Sequence, residues 1–286
     1  MIIWLASYPK SGNTLLRSML SSYFFSSDGI YNFNLIKNIN QFPVAKVFHE
    51  LGIDINNDKE MIQNYIKVQE YINQNNSAKF LKTHSQLINY ENKYPFTNLK
   101  NTLGVIYVVR DPRNIVSSFA DFGSGDLNYY TKLITEKLSI GGDPSAKLSS
   151  PNRTFVITGT WASNYKSWKT LKEVNRYLLI KYEDLIKDRE SVFKKIIKFI
   201  YYLNKSKPLI DKKKFYNVLK STDFDNLKNL EAKHGFSEST IDKKTGKKKA
   251  FFKLGPKRDW RKDLDHNIRI KIEKTFESEM KELGYL

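Results

Sequence analysis

The chain has 286 residues, 40% hydrophobic and 14% aromatic, and its 48 Lys+Arg against 30 Asp+Glu give a formal net charge of +18. That composition supports a packed core and excludes a disordered tail, while the basic excess suits a polyanionic partner: nucleic acid, an anionic membrane or a phosphorylated ligand. With no cysteine, disulfides and thiolate metal sites are excluded.

In chain order, a first strand is predicted over Ile2 to Ser7, followed by the turn "YPKSGN" and a helix with an apolar stripe at Leu15, Leu16, Met19, Leu20 and Tyr23. The apolar start has no basic leader and is too short for a signal h-region. No run approaches membrane-spanning length, so a cytoplasmic protein without a transmembrane segment is expected. Residues 26–76 are polar and Asn-rich, with a helix predicted from Lys59 to Asn73. A second strand covers "AKFLKTH" (78–84), and a third, "TLGVIYVVR", ends at Arg110, where Asp111-Pro112 starts a helix. From Asp121 to Arg153 the residues Gly123, Gly125, Gly141, Gly142, Pro144 and Pro151 predict a long irregular stretch, a functional lid or binding insert. A helix over Gly159 to Val174 leads to a fourth strand, "RYLLIKYEDL", and a helix, "SVFKKIIKFIYYL". A basic segment, Lys243 to Lys262, precedes a closing helix from Asp265 to Leu283. Apolar strands alternating with amphipathic helices indicate an α/β fold, a mainly parallel central sheet flanked by helices, in a single domain over 1–286.

In such sheets ligands bind at the carboxyl ends of the strands. There the first strand presents Lys10-Ser11-Gly12-Asn13-Thr14, the second Lys82-Thr83-His84 and the third Arg110, while the fourth carries Tyr182-Glu183-Asp184. A helix N-terminus behind a glycine, with a lysine beside it, is an anion cradle. The order is not the Walker pattern, because the lysine precedes the glycine, and no G-x-G-x-x-G marks a dinucleotide site. Taken singly, His84 reads as an ordinary strand-end histidine, Lys82 as a solvated lysine, Arg110 as a partner of Asp111 or Glu183, and Tyr182 as core. Trp161 and Trp168, two helical turns apart, read as packing.

Together these residues resemble the 3′-phosphoadenosine 5′-phosphosulfate (PAPS)-dependent sulfotransferases, particularly the cytosolic type. "YPKSGNTL" is similar to the family's 5′-phosphosulfate loop, and "RDPRNIVSS" supplies its Arg-to-Ser spacing for the 3′-phosphate. "GTWASNYKSW" resembles the helix before the "YED" strand, and "KLGPKRDWRKDL" a divergent arginine-lysine-glycine loop. The resemblance implies that Lys10, Ser11, Gly12, Asn13 and Thr14 hold the 5′-phosphosulfate. It assigns Arg110 and Ser118 to the 3′-phosphate, with Lys253, Leu254 and Gly255, and Tyr182 to the adenine. His84 is implied as general base, with Lys10, Lys82 and Ser118 also in the reaction's machinery, and no metal. Leu15 stands where the family's adenine-stacking tryptophan is expected, Asn13 where it has threonine, Leu254 where it has lysine, and Arg258 where it has glycine before Asp259-Trp260.

The chemistry asks for in-line positioning and charge stabilisation. Sulfo transfer would run from PAPS to a hydroxyl or amine of a small-molecule, glycan or lipid acceptor. Two other classes are weighed against it. A nucleotide-dependent kinase with an atypical phosphate loop would depend on magnesium. A basic nucleic-acid-binding module would interleave exposed aromatics with basic residues along one element; most aromatics here sit in apolar runs, so no nucleic-acid partner is expected.

Overall fold

The computed structural model describes residues 1–75, 77–123, 126–136, 156–241, 246 and 248–286. Four strands form its central sheet: β1 (Ile2–Ser7), β2 (Lys79–Thr83), β3 (Thr102–Val109) and β4 (Tyr177–Lys181). They are parallel and ordered β2-β1-β3-β4. β1 pairs with β2 from Ile2 opposite Lys79 to Ala6 opposite Thr83, and with β3 as far as Ser7 opposite Val108. A central strand covered on both faces has no wet side, so Ile2 through Ala6 are all apolar and fully buried. Alternation along β1 sends Ile2, Trp4 and Ala6 into one apolar cluster and Ile3 and Leu5 into the other.

The first cluster is strongly aromatic, with Trp4 against Phe42, Phe96 and Trp168. Trp161 and Trp168 lie in it fully buried, and their indole N–H groups donate to Arg110 O (3.2 Å) and Ser85 O (2.8 Å). The second cluster receives the predicted stripe of helix α1 (Asn13–Phe25): Leu15, Leu16, Met19, Leu20 and Tyr23 are all buried. The fold class is therefore the expected one, and helix α2 (Pro112–Phe122) starts as predicted, with the Asp111 side chain accepting from Arg113 N.

Several boundaries differ from the expectations. The helix predicted over 59–73 is two, Asp58–Gln63 and Tyr65–Ile72, because the Asn64 amide donates to Glu60 O (2.8 Å) and competes with the backbone ladder. The helix predicted from Gly159 is shorter, α3 (Trp161–Lys169), closed by the Thr160–Ser163 capping box. β4 stops at Lys181, and Tyr182-Glu183-Asp184 opens helix α4 (Tyr182–Lys187), where two acids in the first turn complement the helix N-terminus. The closing helix breaks at Phe276, whose ring is buried 5.1 Å from that of Trp161. The stretch expected to be irregular from Asp121 holds a helix, Leu127–Thr135, capped by Asp126. Residues 124–125 and 137–153 of that stretch, with Gly125, Gly141, Gly142, Pro144 and Pro151, lie outside the described residues. Among the described residues no helix is long and apolar enough to cross a membrane.

Candidate active site

At the carboxyl end of the sheet the chain leaves β1 and turns through Tyr8-Pro9-Lys10-Ser11-Gly12 into α1. Two residues of this turn are left-handed, Lys10 (φ 68°) and Gly12 (φ 97°). Glycine is required at position 12 twice over, since a Cβ there would also lie 2.3 Å from Tyr182 Cδ2. Gly12 caps α1 without a side-chain hydrogen bond, so the first-turn N–H groups have no side-chain cap. The Ser11 hydroxyl is buried with no hydrogen-bond partner. The Asn13 amide reaches back to Leu5 O (2.9 Å) and Ser7 Oγ (3.1 Å), tying the turn to β1.

A cavity of about 490 Å³ opens at this rim. Lys10, Gly12, Asn13, Thr14, Lys82, His84, Arg110, Ser118, Tyr182, Lys253, Leu254 and Gly255 all line it; Ser11 is the one predicted site residue outside the lining. Parallel pairing explains the convergence: adjacent strands running the same way deliver their carboxyl-end residues to one edge.

The cations are held under strain of charge. Burial pulls the Lys10 ammonium down to about 7, with the Arg110 and Arg258 guanidiniums repelling it further. Its Nζ lies 3.7 Å from the centroid of the Phe122 ring. Burial likewise lowers Lys82 to about 8, opposed by the Glu238 carboxylate. Arg110 is 6% exposed; it donates to Lys10 O (3.1 Å) and Gly255 O (3.5 Å) and lies over the Tyr182 ring at 4.3 Å. Its Nε is buried without a partner. The adjacent Asp111 carboxylate is taken by Arg113 at 2.7 Å.

His84 follows β2 and places Nδ1 2.8 Å from Ser7 O and 3.3 Å from Ser7 Oγ. A carbonyl oxygen only accepts, so Nδ1 carries the hydrogen and Nε2 keeps its lone pair. Burial, with the Lys82 charge adding, lowers the imidazole to about 3, so it is neutral at physiological pH. The His84 carbonyl is fixed by Asn164 of α3, whose amide donates to it at 3.0 Å and to Thr158 O at 2.8 Å.

From the other side, Gly255 (φ 47°) packs so closely on Phe224 that a Cβ would lie 2.0 Å from Cε2. Lys253 pairs with Asp121, and the nearly buried Arg258 bonds Asp121, Asp263 (3.1 Å) and Ser117 O (3.0 Å). Leu254 brings no charge to the cavity wall. Among the described residues no group of three or more His, Asp or Glu is placed to hold a metal ion.

The sequence reading missed Arg17, Glu238, Asp121, Phe224 and Phe251. Arg17 is 6% exposed and pairs with Glu238 at 2.5 Å, 221 residues away, which no local pattern signals. Phe224, Phe251 and Phe252 line the cavity and supply rings where Leu15 offers none.

The family model described as "Sulfotransferase domain" matches residues 2–284. The chain is 22% identical to sulfotransferase 1E1 of Rattus norvegicus over 282 residues, covering 96% of this chain and 82% of that protein. It is 30% identical to the 3-beta-hydroxysteroid sulfotransferase of Cavia porcellus over 111 residues, which spans 37% of this chain and only about a third (34%) of that protein. Among solved structures, a mouse sulfotransferase complexed with PAP has a similar fold: TM-score 0.58, 16% identity, 98% of this chain and 84% of that one. Retinol dehydratase in complex with androsterone and the inactive cofactor PAP gives a TM-score of 0.52 at 16% identity, over 98% of this chain and 80% of that one.

Proposed function

The chain belongs to the sulfotransferase-domain family, and from that premise we propose that it moves a sulfo group from PAPS to a hydroxyl or amine of a small-molecule acceptor, with His84 as general base. The observation that carries the donor reading is an anion cradle with unmet donors. Arg110 Nε is buried without a partner in the cavity wall, beside two lysines of the same lining whose charge burial disfavours, and the Ser11 hydroxyl, in the turn behind that wall, is also unpartnered. When bound, PAPS supplies a sulfo group on a phosphate leaving group.

Lys10, Ser11, Gly12, Asn13 and Thr14 would hold the 5′-phosphosulfate. Arg110, Ser118 and the Lys253-Leu254-Gly255 segment would hold the 3′-phosphate. Tyr182 and Phe224 offer ring faces to the adenine. Lys10 and Lys82 would meet the charge that grows on the leaving oxygen, and His84 Nε2 would accept the acceptor's proton. The hydroxysteroid in one relative's name supports an alcohol as acceptor.

Adenosine 3′,5′-bisphosphate at a hundredfold excess over its dissociation constant is expected to stabilise the fold by about 2.7 kcal/mol. AMP, without the 3′-phosphate, should do much less at the same concentration. Thermal denaturation measures both, and equal shifts from the bisphosphate, AMP and ATP would discard the reading in favour of a general nucleotide site.

Binding should also take up protons in a defined pH window. The free protein holds Lys10 at about 7 and Lys82 at about 8, so at pH 8 a good part of their charge is missing. An anion favours the charged forms and raises both values. Calorimetry in two buffers of different ionisation heat should therefore register net proton uptake at pH 8 and little at pH 6, with affinity falling as pH rises. Equal proton uptake at the two pH values would contradict this assignment.

A further inference from the structure

Two carboxylates line the cavity that the reading above gives to anions: Asp121, paired with Lys253 and Arg258, and Glu238. Glu238 follows the helix Phe224–His234, lines the cavity with Thr14, Lys82 and His84, and is held by two residues of α1. Its Oε1 accepts from Arg17 Nη1 at 2.5 Å, and its Oε2 accepts from Thr14 Oγ1 at 3.2 Å. Lys82, Arg17 and the Thr14 hydroxyl hold its carboxyl down to about 2, against the opposing effect of burial. Arg17 is buried on α1, one turn beyond Thr14, and its Nη2 is committed to Ile36 O and Ile39 O, so the guanidinium is anchored independently of Glu238.

One hydrogen bond and one charge interaction of this carboxylate are needed elsewhere. A threonine hydroxyl has one hydrogen to give, and while Glu238 accepts it, Thr14 cannot donate it to an oxygen of the 5′-phosphosulfate. The Lys82 ammonium, shielded by Glu238, cannot give its full field to an incoming anion while that carboxylate remains. We infer that Glu238 is an intramolecular anion competing for the 5′ seat of the donor site, and that donor binding exchanges the carboxylate for the nucleotide's own 5′ oxygens on Thr14 and Lys82. This rests on the donor reading above. It makes donor affinity depend on a residue outside every motif that the sequence offers. It also gives the segment around Phe236 a reason to be docked on the cavity before any ligand is present: Phe236 packs on Phe251 and Phe252 at 5.0 and 5.4 Å, and Glu231 binds the N–H groups of both.

Glu238→Gln keeps the shape and removes the charge. The variant is expected to bind adenosine 3′,5′-bisphosphate about tenfold more tightly, because a like charge beside the 5′-phosphate is gone. Its affinity for adenosine 3′-monophosphate, which has nothing to put in the 5′ seat, should be unchanged. Unchanged or weaker bisphosphate affinity in a folded Glu238→Gln protein overturns the inference, and so does equal tightening of both ligands. Should the variant not fold, a wild-type crystal grown with the bisphosphate decides. The inference expects Thr14 Oγ on a 5′ oxygen with Glu238 off it, and Glu238 still bonded to Thr14 beside the bound nucleotide overturns it. Failure of the wild-type protein to bind the bisphosphate at all would instead remove the donor reading, which the first measurement on wild type registers separately.

Discussion

His84→Ala is expected to lower turnover by about a hundredfold to ten-thousandfold, the range for losing a positioned general base, while leaving affinity for adenosine 3′,5′-bisphosphate almost unchanged. The split follows from geometry. Nδ1 is engaged with Ser7 O at 2.8 Å, so Nε2 is the nitrogen left to take a proton, and the anion-binding groups sit on Lys10, Arg110 and the α1 turn. The pH dependence is equally specific. An imidazole lowered to about 3 stays neutral as pH falls through the usual histidine range, so kcat/KM for the donor should show no acid limb between pH 5 and 7 from this group. kcat/KM for the donor, which reports the free enzyme, should instead fall above neutrality as Lys10 and Lys82 lose their protons. Steady-state kinetics against pH, with a single-turnover check on His84→Ala, measures both. Full turnover by the folded variant would remove His84 from the chemistry.

Arg110→Ala should weaken bisphosphate binding by about 2–5 kcal/mol, the scale for truncating one side of a buried charge contact, with AMP affinity nearly unchanged. Arg110 is 6% exposed and its Nε has no partner within the protein, so a 3′-phosphate would receive an almost fully desolvated cation. Burial already pushes the guanidinium below its ordinary value, with Tyr182 and Glu183 opposing that shift. Titration calorimetry with the two nucleotides tests the difference. Equal losses for both would assign Arg110 to the 5′ side or to the architecture of the Lys10 turn, whose carbonyl it holds at 3.1 Å.

The strands and the main rim residues were legible in the sequence because they obey local rules. β1 ran over Ile2 to Ser7 in both readings, since a strand buried on both faces must be an unbroken apolar run. The turn at Lys10 to Gly12 was legible because a left-handed position ahead of a helix favours glycine, and the chain has Gly12 there with φ 97°. Asp111-Pro112 marked the start of α2 by capping chemistry alone. Parallel topology then made the meeting of Lys10, His84 and Arg110 at one cavity a consequence of strand polarity.

What the tertiary structure decided are quantities that depend on neighbours distant in sequence. Tyr182 belongs to a helix rather than to β4, and its ring lies against Gly12 and under Arg110. Burial, with the Lys82 charge adding, holds the imidazole of His84 well below its ordinary value. Arg258, a departure from the expected loop, closes onto Asp121, 137 residues earlier. Glu238 meets Arg17 across 221 residues. Periodicity and capping act over a few residues and are written along the chain. Desolvation and Coulomb interaction act over a few ångströms of space, and only the folded chain determines which residues share them.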